Sequence, residues 1–174
     1  GIYFIDNKIP FIVKPSNQVD AIIVYPSNTI NAYNNNEGYS LYTNPRAHRL
    51  SFHRQQNMPR FSLEFFKWVS NFNFGYFCDF DMDNYQNYSY SDLIIVPGHS
   101  EYWSRNAREN FDEFILNGND AIILSGNNMW WQIRYENDGN VLVCYKDYDL
   151  DPIEDLSLKM LDYYVVKHQY LVVL

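Results

Sequence analysis

His99, Ser100 and Glu101 follow one another directly after Pro97-Gly98, at the end of the apolar run Leu93-Ile94-Ile95-Val96. An imidazole and a carboxylate can each move protons or hold a metal ion, and a hydroxyl beside them can serve as a nucleophile. His99 and Glu101 lie two apart, so in an extended stretch their side chains point the same way. The plainer role for Glu101 is a carboxylate favouring the positive end of the helix that follows. Gly98, Ser100 and Tyr102 come close to the nucleophile elbow of serine hydrolases, but Tyr102 stands where that motif needs glycine for close approach of helix and strand. Esterase chemistry through Ser100 is therefore the weakest reading.

Other residues able to do chemistry lie in three further places. Asn127, Trp130, Trp131 and Arg134 follow the apolar run Ala121–Leu124, whose tip a parallel sheet brings near that of His99. Tyr33, Tyr39 and Tyr42 share a polar stretch with Asn31, Glu37 and Arg49. Such tyrosines supply contact area or, as hard anionic phenolates, ligands for a trivalent iron. Asp79, Asp81 and Asp83 alternate like the start of a calcium loop, but Asn84 replaces its glycine and Tyr90 its bidentate glutamate, so they are read as solvated loop acids. His48, His53 and His168 show no ligand spacing and are read as surface residues. Cys78 and Cys144 are read as buried core thiols, with a cross-link between them left open.

These groups need a scaffold, and 174 residues with 47% hydrophobic content suffice for one domain, 1–174, with its own core. The net charge of -8, without a basic patch, argues against nucleic acid. No apolar run approaches membrane-spanning length, and Gly1-Ile2-Tyr3 does not begin a signal peptide. Without an initiator Met the chain is expected to be a piece of a longer one, and its compartment stays open.

Pro10–Val13 and Ala21–Tyr25 read as strands, and Asn31–Asn57 as a long loop with a specific task. Phe61, Phe65, Trp68, Val69 and Phe72 predict an amphipathic helix, and Gly75–Phe80 a strand. After the strand Leu93–Val96, Ser104 caps a helix carrying Ala107, Phe111, Phe114 and Ile115, ended by Asn117-Gly118. Ala121–Leu124 and Val141–Tyr145 follow as strands. Beyond Asp151-Pro152, Leu156 to Tyr164 suggests a helical face and Tyr170–Leu174 a strand. Alternating strands and helices imply an α/β fold, a mostly parallel sheet with helices on both faces.

Five blocks carry a more specific signal: Ile30-Asn31-Ala32-Tyr33-Asn34, Gly38-Tyr39-Ser40-Leu41-Tyr42, Arg49-Leu50-Ser51-Phe52, Gly98-His99-Ser100-Glu101-Tyr102-Trp103-Ser104 and Ser125-Gly126-Asn127-Asn128-Met129-Trp130-Trp131. In order and spacing they resemble the C-terminal catalytic domain of the N,N-dimethylformamidase large (beta) subunit, over about Gly1 to Tyr145. The resemblance implies a three-layer, flavodoxin-like layout akin to class I glutamine amidotransferases, with Asn127 or Asn128 where those enzymes carry cysteine. It further implies a mononuclear ferric iron held by Tyr33, Tyr42 and Glu101, and hydrolysis of a carbon-nitrogen bond in a small amide by metal-activated water. His99 is then the expected acid/base, and Asn127 and Arg134 the groups that steady the oxyanion. A small subunit or a second copy of the chain is the expected protein partner. The interval from Tyr33 to Tyr42 is shorter here than in the amidase, so the substrate does not carry over. The alternative is a non-catalytic module on the same fold, using its tyrosines and tryptophans for glycan or protein contact.

Overall fold

The computed structural model describes residues 1–5, 9–55, 60–155 and 159. In chain order the regular elements are β1 (Ile2–Ile5), β2 (Ile9–Ile12), β3 (Ala21–Tyr25), α1 (Ser27–Tyr33), β4 (Arg49–Ser51), α2 (Arg60–Val69) and β5 (Phe74–Cys78). Then come β6 (Leu93–His99), β7 (Tyr102–Ser104), α3 (Arg105–Leu116), β8 (Asp120–Gly126), β9 (Trp131–Glu136) and β10 (Val141–Val143). The suggested elements in 156–158 and 160–174 lie outside the described residues, as does His168.

Four parallel strands form the central sheet in the order β5-β3-β6-β8. Strands β3, β5 and β6 read as apolar runs because both of their faces are covered, while Ile122 and Leu124 of the edge strand β8 are exposed. Ile22, Val24, Phe77, Ile94, Val96 and Ile123 point to one side, where they meet Ala107, Phe111 and Phe114 of α3. Ala21, Ile23, Tyr25, Tyr76 and Ile95 point to the other, against Phe66 and Val69 of α2. The period of two in the strands and of three to four in the helices thus produces the expected α/β arrangement. Ser104 caps α3 as its type and position require, its hydroxyl accepting from the Ala107 N–H at 2.9 Å. Strands β1 and β2 form a separate antiparallel hairpin.

A second sheet, ordered β4-β10-β9-β7, goes beyond the sequence reading. Its β4–β10 and β10–β9 pairs are antiparallel, and β7–β9 is parallel. Strands β4, β7 and β9 mix apolar with polar residues and so escape a search for apolar runs, whereas β10 falls within the expected strand Val141–Tyr145. Ala32, Leu41, Leu50, Tyr102, Ile133, Leu142 and Cys144 form its core.

Several expectations need correction. Within Asn31–Asn57, α1 extends through Tyr33 and Arg49–Ser51 is a strand. Strand β6 does not stop at Val96: it pairs with β8 through Pro97, Gly98 and His99. The acids after β5 are bonded within the fold rather than free in solvent. Asp79 is 2% exposed and accepts from the Asn28 N–H at 2.7 Å and the Ser27 hydroxyl at 3.3 Å, at the start of α1. Asp81 accepts from the Cys78 N–H, and Asp83 takes the Ser104 hydroxyl. His48 stacks on Tyr145 with ring centroids 4.5 Å apart, so it is no free surface residue. Cys78 and Cys144 are both free thiols, which closes the cross-link question.

Candidate functional site

Glu101 occupies the two-residue link between β6 and β7, where the chain leaves the parallel sheet and enters the second one. Both of its backbone polar groups are fixed. Its N–H donates to the Thr29 hydroxyl on α1 at 2.9 Å, and its carbonyl accepts from the Trp131 N–H of β9 at 2.9 Å. The residue is only 4% exposed. A carboxylate so buried requires hydrogen-bond donors or a cation.

The donors are aromatic. Tyr33 donates its hydroxyl to Oε2 at 2.9 Å, Tyr42 donates to Oε1 at 3.0 Å, and Trp131 Nε1–H donates to the same Oε1 at 3.1 Å. Tyr102 donates in turn to the Tyr42 hydroxyl at 2.7 Å. The Tyr33 and Tyr42 rings stack with centroids 4.1 Å apart and planes 18° from parallel. A backbone bond explains that stacking: the Leu41 N–H donates to the Ala32 carbonyl, so the residues just before the two tyrosines are held together. Each tyrosine nonetheless keeps nearly half its surface open to solvent.

Burial raises the Tyr33 phenol above its ordinary value, and the neighbouring Glu101 charge adds to this. The same two causes push Tyr42 up strongly, against the opposing hydrogen bond from Tyr102. Left to themselves these phenols are proton donors to Glu101, and only a strongly charged cation would displace both protons. Lys146 already brings one positive charge. Its Nζ lies 3.5 Å from the Tyr42 ring centroid, 4.9 Å from that of Trp131 and 5.3 Å from that of Tyr102. Burial lowers the Lys146 ammonium to about 8.

Of the residues singled out from sequence, Tyr33, Tyr42 and Glu101 come together. Tyr39 does not compete with Tyr42: it is exposed, and its carbonyl accepts from Arg54. His99, at the end of β6, is exposed, while Glu101, in the link that follows, is buried. The two-residue spacing therefore does not give them common surroundings. The imidazole lies along Gly126, where an added Cβ would come within 3.4 Å of it. Asn127 is exposed, at φ 50° just past β8. Arg134 belongs to β9 and forms a bidentate pair with Asp151, at 2.7 and 3.0 Å, and a bond to Glu136 at 3.3 Å. An oxyanion role for it does not fit, since that buried pair would have to break. Ser100 is 1% exposed and accepts from Trp103 Nε1–H at 2.8 Å, which removes it as a nucleophile.

Thr29, Tyr102 and Lys146 were not legible as site residues. Tyr102 looked like a defective elbow glycine, and neither Thr29 nor Lys146 stands in a pattern that sequence spacing would flag. Among the described residues no three His, Cys, Asp or Glu side chains gather as a metal group would. Two phenols with a single carboxylate make a donor set of another kind. Among the described residues, no helix is long and apolar enough to cross a membrane.

A search of curated proteins finds no match. The family model described as N,N-dimethylformamidase beta subunit-like, C-terminal, matches residues 5–161, past the Tyr145 limit of the sequence motifs and so taking in the Asp151 that Arg134 binds. The chain is a member of the N,N-dimethylformamidase beta subunit-like, C-terminal family.

Proposed function

We propose that this domain is a metal-dependent hydrolase of a carbon-nitrogen bond in a small amide, with Tyr33, Tyr42 and Glu101 as ligands of a mononuclear ferric ion. The observation that carries the proposal is the convergence of two phenol oxygens on one buried carboxylate, at 2.9 and 3.0 Å. The donor set fits such an ion. Two phenolates and a carboxylate carry three negative charges, which a trivalent ion balances, and all donors are hard oxygens. Oxygens about 3 Å apart are also spaced as neighbouring ligands are when each stands about 2 Å from a common ion.

Bound there, ferric iron would supply Lewis acidity, polarising an amide carbonyl and making water easier to deprotonate. The chain's own residues do the rest. Thr29 and Trp131 fix the Glu101 backbone, and the Trp131 indole orients its carboxylate. Tyr102 sets the Tyr42 hydroxyl. Lys146 offsets negative charge beside it. His99, exposed at the tip of β6, can take a proton from water or give one to the leaving amine. Asn127, at the adjacent tip of β8, is the remaining side chain for the carbonyl oxygen.

The order β5-β3-β6-β8 supports a flavodoxin-like layout akin to that of class I glutamine amidotransferases. Numbered within the sheet it runs 2-1-3-4, and Tyr33 and Glu101 follow the strands on either side of its switch point, where open α/β sheets place ligands. The protein partner remains a small subunit or a second copy.

Colour tests the proposal. Ferric phenolate absorbs visible light, so iron-reconstituted protein should be tinted, Tyr42→Phe should bleach it, and a panel of formamides and small amides should reveal turnover. A colourless protein that retains no iron would sink the reading in favour of a binding module.

A further inference from the structure

Arg54 spends all five of its guanidinium hydrogens on the two chain segments that carry Tyr33 and Tyr42 and on the strand beside them. Nη1 donates to the carbonyls of Asn34 and Tyr39, each at 3.0 Å. Nη2 donates to the Asn31 carbonyl at 3.2 Å and to its side-chain Oδ1 at 3.0 Å. Nε donates to the Ser51 carbonyl, at the end of β4, at 3.4 Å. No carboxylate is bonded to this cation among the described residues, so backbone oxygens receive all but one of its bonds.

The placement of those oxygens gives the contact its meaning. Asn31 and Asn34 flank Tyr33 at the end of α1, a helix of 7 residues, too short to hold its last turn unaided. A cation there satisfies terminal carbonyls and complements the helix dipole. Tyr39 opens the short segment that delivers Tyr42. One rigid, planar fork therefore ties the end of α1 to that segment and both to β4, and lysine could not match it, having three donors around a single nitrogen.

We infer that Arg54 is a positioning residue, which fixes the spacing of the Tyr33 and Tyr42 hydroxyls over Glu101 and so the ability of the site to hold a trivalent metal ion. The inference rests on the donor set proposed above for its metal reading. Its geometric half stands apart, because Trp131 Nε1–H shares Oε1 of Glu101 with Tyr42 and reports on that oxygen without any metal.

The test compares wild type, Arg54→Met and Arg54→Lys by ferric titration at the visible band. Each is also followed, metal-free, by the indole ¹H–¹⁵N signals of Trp131 and of Trp103, whose indole is bonded to Ser100 instead. Arg54→Met should bind iron at least tenfold more weakly with a displaced band, and should move the Trp131 signal while Trp103 stays. Arg54→Lys should recover part of both. Wild-type affinity, band and Trp131 signal in Arg54→Met would overturn the inference. If wild type itself takes no iron, the metal reading falls, and an unmoved Trp131 signal would remove the positioning role as well. Should Arg54→Met fail to fold, the same signals in Arg54→Lys decide.

Discussion

Asp79→Asn should make the protein more stable at neutral and alkaline pH, although it removes a charged helix-capping group. Asp79 is buried, and burial pushes its carboxyl up to about 7, against the opposing bonds from Asn28 and Ser27. The unfolded chain returns it to about 3.9. Between those values the folded state binds the extra proton, so stability falls as pH rises, by ~1.4 kcal/mol per unit of difference. The full window corresponds to about 4 kcal/mol, present below pH 4 and lost as pH climbs through 7. Asparagine keeps an oxygen to accept from the Asn28 N–H and the Ser27 hydroxyl but carries no charge. Urea unfolding at intervals from pH 4 to 8 should therefore show wild type and Asp79→Asn nearly equal at the acid end and diverging steadily from about pH 4 to a plateau above pH 7, with the variant ahead. Asp83, also raised by burial, to about 6, tilts both proteins in the same direction and cancels in their difference. A variant weaker than wild type by the same amount at every pH would refute the reasoning, because the carboxylate would then be stabilising α1 as an anion.

Ser100→Ala should leave amide turnover within about threefold of wild type while lowering stability by ~1–3 kcal/mol, since Trp103 loses its buried acceptor; loss of activity at unchanged iron content would revive the serine mechanism. Tyr102→Phe should cost about 1 kcal/mol in thermal unfolding and shift the visible band, because the hydroxyl that sets Tyr42 is gone. Lys146→Met keeps the stem but removes the cation over Tyr42, and should cost ~1 kcal/mol in urea unfolding.

The parallel sheet was legible because its inner strands are buried on both faces, so that Ala21–Tyr25 and Leu93–Val96 stand out as uninterrupted apolar runs; Ala121–Leu124 of the edge strand β8 stands out as well, although Ile122 and Leu124 are exposed. Helix α3 was legible because Ser104 and Asn117-Gly118 mark its ends. Most of the second sheet was not, since Trp131–Glu136 mixes large, polar and charged residues along a strand that pairs with the nearby β10 on one side and with β7, separated from it by α3 and β8 in the chain, on the other. Arg134 shows the consequence. Placed at a strand tip it looks free to meet substrate, whereas as a residue of β9 it serves Asp151. His99 failed in another way: it ends β6, still paired with Gly126 of β8, whereas Glu101 lies beyond it in the link to β7, so the extended run that their spacing presumes does not continue through both.

Tyr33, Tyr42 and Glu101 were drawn together by the family resemblance alone, and the fold supplies the physical reason for their meeting. Glu101 stands where one sheet hands the chain to the other, so it can be approached from both. From the parallel sheet, the chain leaving β3 turns directly into α1, which brings Thr29 to its backbone and Tyr33 to its carboxylate. From the second sheet, β9 brings Trp131, and β7 brings the Tyr102 that steadies Tyr42. A lone carboxylate buried at such a junction would be a heavy desolvation cost for a structural residue, and an apolar side chain would close the gap more cheaply. Four aromatic polar groups instead gather around it, and two of them keep nearly half their surface in solvent. Packing needs neither the charge nor the exposure, but a site that must take up a cation and still admit a small molecule needs both.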